Sequence, residues 1–173
     1  RPSDLETLLG AADFDAALLD RAAALRRMIV EAGVSKYNVG AAPLPAVPPG
    51  PGPVILVAGQ VDDDASIRLG ATGRVRSSLD LLRRVRRDNP DATILFKPHP
   101  DVEAGLRPGD VTGREFAALA DVVLRDVSAP DAIAAADRVE VITSLIGFEA
   151  LLRGKVVATH GLPFYAGWGL TDD

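Results

Sequence analysis

From Val54 onward, short apolar runs alternate with stretches of helical periodicity, and that alternation limits the chain to few folds. Residues 54–58, 93–96, 122–124, 139–142 and 156–158 read as strands. Between them, residues 74–88, 114–119, 128–136 and 145–153 read as helices, the first with Val75, Leu79, Leu82 and Val85 on one stripe. The clearest strands are apolar along their whole length, the pattern of a strand covered on both faces. Repetition of strand, helix and strand therefore predicts an α/β fold with a doubly wound parallel sheet.

The residues before this region follow another rule. Ser3 is placed to cap a short helix over 4–9, and Asp13 a longer one. In that second helix Phe14, Leu18, Ala22, Leu25 and Ile29 fall on one face, and Gly33 is a stop. Residues 34–53 are rich in Pro and Gly and read as a semi-rigid extended connector. The expected division is a helical arm over 1–33, the connector over 34–53, and a Rossmann-like domain over 54–173. The first residue is not methionine, no signal peptide opens the chain, and the last residues follow a Gly- and aromatic-rich segment. The chain accordingly reads as a fragment of a longer protein.

Composition removes several function classes. With 173 residues and a net charge of −5, the chain has no electrostatic support for nucleic-acid binding, and no nucleic-acid partner is expected. It has no cysteine, which removes disulfides, thiolate metal sites and cysteine nucleophiles. No apolar run approaches membrane-spanning length. Neither a GxGxxG fingerprint nor a Walker lysine loop is present, which argues against NAD and P-loop chemistry.

The expected layout brings four groups to the carboxyl ends of strands, where ligands of open α/β sheets sit. After the first strand comes Gly59-Gln60-Val61-Asp62-Asp63-Asp64-Ala65-Ser66. Three successive carboxylates form either an acidic loop at a helix start or a site in which one acts as nucleophile or base, with Ser66 helping to hold it. After the second strand, Lys97-Pro98-His99-Pro100 is a stiff turn whose lysine and histidine suit a phosphate. Before the helix at 145–153, Ser144 serves as a cap or turns its hydroxyl and the free N–H groups towards an anion. Glu149, further along that helix, either faces solvent or accepts from ribose hydroxyls. The last group, 160–169, sets three aromatics among glycines and packs on a ligand, a core or another domain. Asp62, Asp63 and Asp64 with His99 and His160 offer oxygen and nitrogen donors, but no compact histidine spacing, and no metal site is expected.

With these residues assembled, the chain resembles the bacterial capsule polysaccharide synthesis family of KpsC/KpsS type, the retaining β-Kdo transferases. The resemblance rests on Ser-Lys-Tyr-Asn at 35–38, Gly-Gln-Val-Asp-Asp-Asp-Ala-Ser-Ile-Arg at 59–68 and Lys-Pro-His-Pro-Asp at 97–101. It continues with Ser-Leu-Ile-Gly-Phe-Glu-Ala-Leu-Leu-Arg-Gly-Lys at 144–155 and Gly-Leu-Pro-Phe-Tyr-Ala-Gly-Trp-Gly-Leu-Thr at 161–171. The resemblance implies the carboxyl-terminal, nucleotide-binding Rossmann-like half of a GT-B-type glycosyltransferase, the amino-terminal half being its partner in the same protein. Such enzymes move Kdo, an eight-carbon acidic sugar, from CMP-β-Kdo to a lipid-linked saccharide acceptor at the cytoplasmic face of the inner membrane.

Carried over by motif, the resemblance makes Asp64 the nucleophile of a double displacement, with Gln60 and Ser66 beside it; Asp62 and Asp63 stay open by register. His99 with Pro100 would meet the donor phosphate, Lys97 and Ser144 would add donors to it, and Glu149 would take the ribose. CMP is the product, and neither a cofactor nor a divalent metal is required. Two other readings compete: a non-catalytic nucleotide-binding or docking module of capsule assembly, and a transferase half that uses a UDP-sugar. Whether Asp64 and Ser66 face the same cleft as His99 and Ser144 separates enzyme from module; cytidine selectivity separates the two donors.

Overall fold

The computed structural model describes residues 3–106 and 114–172. Contacts divide the chain into two units, Arg1–Val34 and Ser35–Asp173. The first unit holds two helices. Helix α1 (Asp4–Ala11) starts at a capping box: Ser3 Oγ accepts from the Glu6 N–H, and the Glu6 carboxylate accepts from the Ser3 N–H. Helix α2 (Ala16–Glu31) is capped by Asp15 and not by Asp13, because Asp15 Oδ1 accepts from the Leu18 N–H at 2.8 Å and the helix opens later than its apolar pattern does. Gly33 ends it at a φ of +62°, the left-handed turn that a residue without a Cβ adopts most cheaply. No residue of α1 or α2 is buried; of the apolar stripe expected there, Phe14, Leu18 and Leu25 are exposed and Ile29 is half-buried.

The second unit is built on a five-stranded sheet of β1 (Val54–Ala58), β2 (Thr93–Lys97), β3 (Val122–Val123), β4 (Arg138–Val141) and β5 (Val156–Thr159). All pairs are parallel, in the order β3-β2-β1-β4-β5. The register sets Ala58 beside Lys97 and Val57 beside Glu140, so the loops after β1, β2 and β4 leave the sheet at one edge. Helices α4 (Ser78–Asp88) and α6 (Arg114–Leu119) cover one face, packing Leu81, Leu82, Val85 and Phe116 on Ile55, Val57, Ile94 and Phe96. Helices α7 (Ala129–Ala134) and α8 (Leu145–Leu152) cover the other, with Ile133 and Ala150 on Leu56, Leu95, Val139 and Val141. Ile55, Leu56, Val57, Ile94, Leu95 and Phe96 are fully buried, and each such side chain contributes about 1.5–3 kcal/mol. This is the α/β doubly wound sheet that the alternation predicts.

Three local features depart from the sequence pattern. Helix α4 begins at Ser78, where Ser77 Oγ accepts from the Asp80 N–H, so Val75 joins the core from a loop. A short helix, α3 (Ala65–Gly70), follows the acidic run and carries a single buried residue, Ile67. The proline turn after β2 runs into α5 (Pro100–Glu103), with His99 as its cap and Pro100 in its first turn. The segment over 35–53 belongs with the sheet: Ala42 pairs with Val127, and the Thr93 N–H donates to Pro53 O at 3.0 Å. Among the described residues no helix is long and apolar enough to cross a membrane.

Candidate functional site

The winding of the sheet reverses between β1 and β4, and the loops that follow these strands part around a cavity of about 290 Å³. Gln60, Asp64, Ser66, Lys97, His99, Pro100, Ser144 and Glu149 all line it. Asp64 and Ser66 thus share one cavity with His99 and Ser144. Gln60 ties its two walls together. Its Nε2 donates to Thr143 Oγ1 at 2.9 Å, and its Oε1 accepts from the Thr143 N–H at 2.8 Å.

The three consecutive aspartates have separate surroundings. Asp62 faces α4, where its Oδ1 accepts from the Ser78 N–H at 2.9 Å. Asp63 is exposed and does not line the cavity. Asp64 lines the cavity as the cap of α3: its Oδ1 accepts from the Ala65 N–H and its Oδ2 from Ser66 Oγ at 3.1 Å. The two bonds fix the carboxylate plane at the rim and leave its remaining lone pairs available.

On the β2 side, His99 Nδ1 accepts from the Asp101 N–H at 3.1 Å. The proton of the neutral ring therefore sits on Nε2, which donates to Tyr37 Oη at 3.1 Å. The two rings meet edge to face with centroids 5.5 Å apart. Lys97 is buried, and its ammonium donates to the Val127 carbonyl. Burial lowers its pKa, and the charges of Glu103 and Asp126 partly offset that.

On the β4 side, Ser144 caps α8. The start of that helix is fixed by Tyr165, whose hydroxyl donates to the Ser144 carbonyl; burial raises the pKa of the phenol and keeps it a donor. Gly147 permits this approach, since a Cβ there would lie 2.3 Å from Tyr165 Oη. One turn further, the buried Glu149 accepts from the Lys36 N–H through Oε1 at 2.8 Å. Its Oε2 is buried without a hydrogen-bond partner among the described residues, and an acceptor left so costs about 1–3 kcal/mol. A ligand hydroxyl reaching Oε2 would remove that penalty.

Lys36, Tyr37 and Thr143 also line the cavity but carry no role in the sequence reading. The quartet 35–38 was singled out only for its resemblance, and its place in a Pro/Gly-rich stretch gives no signal of a site.

The other histidine lies in a different place. His160 Nε2 is 2.7 Å from Glu140 Oε2, and Arg138 Nε donates to Glu140 Oε1 at 2.6 Å. Arg138 also pairs with Asp172 at 3.0 Å. These groups line a second cavity of about 510 Å³ on the α4 side of β4 and β5. Burial would raise the pKa of Glu140, but the His160 hydrogen bond and the Arg138 charge outweigh it, and the carboxyl is held below its ordinary range. Among the described residues no group of three or more acidic or histidine side chains is arranged to hold a metal ion.

Comparison with known proteins identifies the family and its fold. The chain is 48% identical over 172 residues to the capsule polysaccharide modification protein LipA of Neisseria meningitidis, covering 99% of this chain and 24% of LipA. It is 43% identical over 176 residues to the lipopolysaccharide-processing protein LpsZ of Rhizobium meliloti, covering 40% of that protein. Among solved structures, the β-Kdo 2,7 transferase of Thermosulfurimonas dismutans KpsC superposes with a TM-score of 0.81 at 38% identity. The β-Kdo 2,4 transferase of the same KpsC gives 0.82 at 34%. All of this chain is covered in both, against 51% and 54% of those chains, so it spans about half of each. The family model for capsule polysaccharide biosynthesis proteins matches residues 46–173, which hold the whole sheet and all eight expected site residues but not the 35–38 quartet. The chain belongs to the capsule polysaccharide biosynthesis protein family.

Proposed function

We propose that this chain is the donor-binding half of a retaining glycosyltransferase that moves Kdo from CMP-β-Kdo to a lipid-linked saccharide acceptor in capsule biosynthesis. The observation that carries the reading is the gathering of Asp64, His99, Ser144 and Glu149 around one cavity at the β1/β4 switch point. The similarity to two Kdo transferases supports the sugar, and the unpartnered Glu149 Oε2 supports a hydroxyl-bearing ligand such as the ribose of CMP. The acceptor would enter against the other half of a GT-B-type enzyme, working at the cytoplasmic face of the inner membrane.

In this reading the Asp64 carboxylate attacks the anomeric carbon of Kdo. The bond from that carbon to the phosphate oxygen breaks, and CMP leaves with the electron pair. An acceptor hydroxyl then displaces Asp64 from the same carbon, its proton passing to a base on the acceptor side. Two inversions give net retention. His99 Nε2–H and the N–H groups at the start of α8 stabilise the charge that develops on the leaving phosphate. Ser66 and the Ala65 N–H orient Asp64, Gln60 holds the two walls at fixed separation, and Lys97 braces the floor through Val127. The role of Asp64 as the cap of α3 favours a second reading, a non-catalytic nucleotide-binding or docking module.

Calorimetric titration with CMP, with UMP as control, tests the donor reading. CMP is expected to saturate the site, UMP to bind about tenfold more weakly, and His99→Ala to weaken CMP by at least about tenfold, near 1.4 kcal/mol. Equal affinity for both nucleotides would favour a generic sugar-nucleotide site, tighter UMP binding a UDP-sugar site, and absence of binding the docking module.

A further inference from the structure

The lysine that the sequence points to as the phosphate cation lines the cavity but is already engaged by the protein. Lys97 is buried, and its ammonium is engaged by the Val127 carbonyl with Glu103 and Asp126 near it. A negatively charged donor would also meet the carboxylates of Asp64 and Glu149 on the same lining. Binding an anion there needs a cation free to approach it.

Lys36 meets that requirement. It lines the cavity, is exposed, and makes no ion pair among the described residues. Its ammonium rests 4.6 Å from the centroid of the Tyr37 ring, a weak cation–π contact that an anion would readily replace. The loop beneath it is fixed rather than loose. The Ser35 N–H donates to Asn38 Oδ1 at 2.8 Å, and the Asn38 N–H donates to Ser35 Oγ at 3.1 Å. Asn38 closes the turn at a φ of +49°. The Lys36 N–H is anchored on buried Glu149, and Tyr37 Oη is anchored on His99 Nε2. The backbone of Lys36 is thus tied to the carboxylate read as the ribose acceptor, and the next residue to the histidine read as the phosphate donor. The ribose and its phosphate are adjacent in a nucleotide, and the adjacent residues Lys36 and Tyr37 are each tied to one of the two binding groups.

We infer that Lys36, rather than Lys97, is the cation that binds the donor's phosphate. The inference rests on the donor reading above. It is tested by titrating the full chain and Lys36→Met with CMP and with cytidine at two salt concentrations. The phosphate is the only difference between the two ligands, so a loop that merely collapsed would weaken both. The expected result is CMP binding weaker by about tenfold or more in Lys36→Met, cytidine binding unchanged, and a salt dependence of CMP binding that is reduced in the variant. Lys36→Arg should restore most of the CMP affinity. An unchanged melting temperature would exclude a folding defect. If wild type prefers CMP to cytidine and Lys36→Met keeps that preference within about twofold, the inference is overturned while the donor reading stands. If wild type binds CMP no better than cytidine, or not at all, the donor reading itself fails.

Discussion

Two cavities of the sheet domain are each lined by one buried glutamate, and the two glutamates live in opposite circumstances. Glu140 sits mid-strand with both oxygens engaged, one by Arg138 and one by His160. Glu149, on α8, has one oxygen on a backbone N–H and the other on nothing. The larger cavity is the one whose charges are closed on one another; the smaller one holds the unsatisfied acceptor, an unpaired lysine and a histidine whose second nitrogen rests on a tyrosine. Cavity size and a density of titratable groups would choose the first. Unmet hydrogen-bonding capacity chooses the second, because a stable fold leaves such capacity where a ligand supplies the partner.

The comparison can be broken most sharply at Glu140. Glu140→Ala leaves Arg138 and His160 without their shared partner in a largely buried place, and should lower unfolding stability by about 3 kcal/mol or more in urea, with CMP affinity unchanged. The same pair sets an acid limb. The folded pKa of Glu140 lies below the ordinary 4.5, so its stabilisation is complete above that pH and is lost as the pH falls through the folded value. The stability difference between wild type and Glu140→Gln should therefore shrink in acid.

Glu149→Gln should show the reverse pattern. It keeps an acceptor for the Lys36 N–H and removes a buried carboxylate, so stability should stay within about 1 kcal/mol. CMP affinity should fall about tenfold, measured by calorimetry. The smallest effect belongs to neither cavity: Arg83 and Glu115 pair at 3.0 Å with side chains 52% and 64% exposed, and Arg83→Ala should change stability by about 0.5 kcal/mol or less.

The sheet was legible because its central strands are buried on both faces and leave uninterrupted apolar runs, as in Val54–Ala58 and in Ile94, Leu95 and Phe96 of β2. Helix α3 was not, since one buried residue in six gives no period to read. The start of α4 was misplaced because Val75 fits the helical stripe yet reaches the core from a loop. Within the site, residues close to a strand end could be placed by topology alone. Lys36 and Tyr37 could not, because their partners lie 113 and 62 residues away and nothing local marks the pairing. The same limit hid the engagement of Lys97 by Val127, across 30 residues.

The central claim is that the nucleotide enters the cavity between β1 and β4. Titrating the isotopically labelled chain with CMP and following its backbone amides by NMR tests it most directly. The account predicts saturable shifts at Lys36, Gly59, Gln60, Leu145 and Ile146, with Arg84, Glu140 and His160 unmoved. Shifts centred on Glu140 and His160, with the amides around Gln60 and Leu145 unchanged, would contradict it.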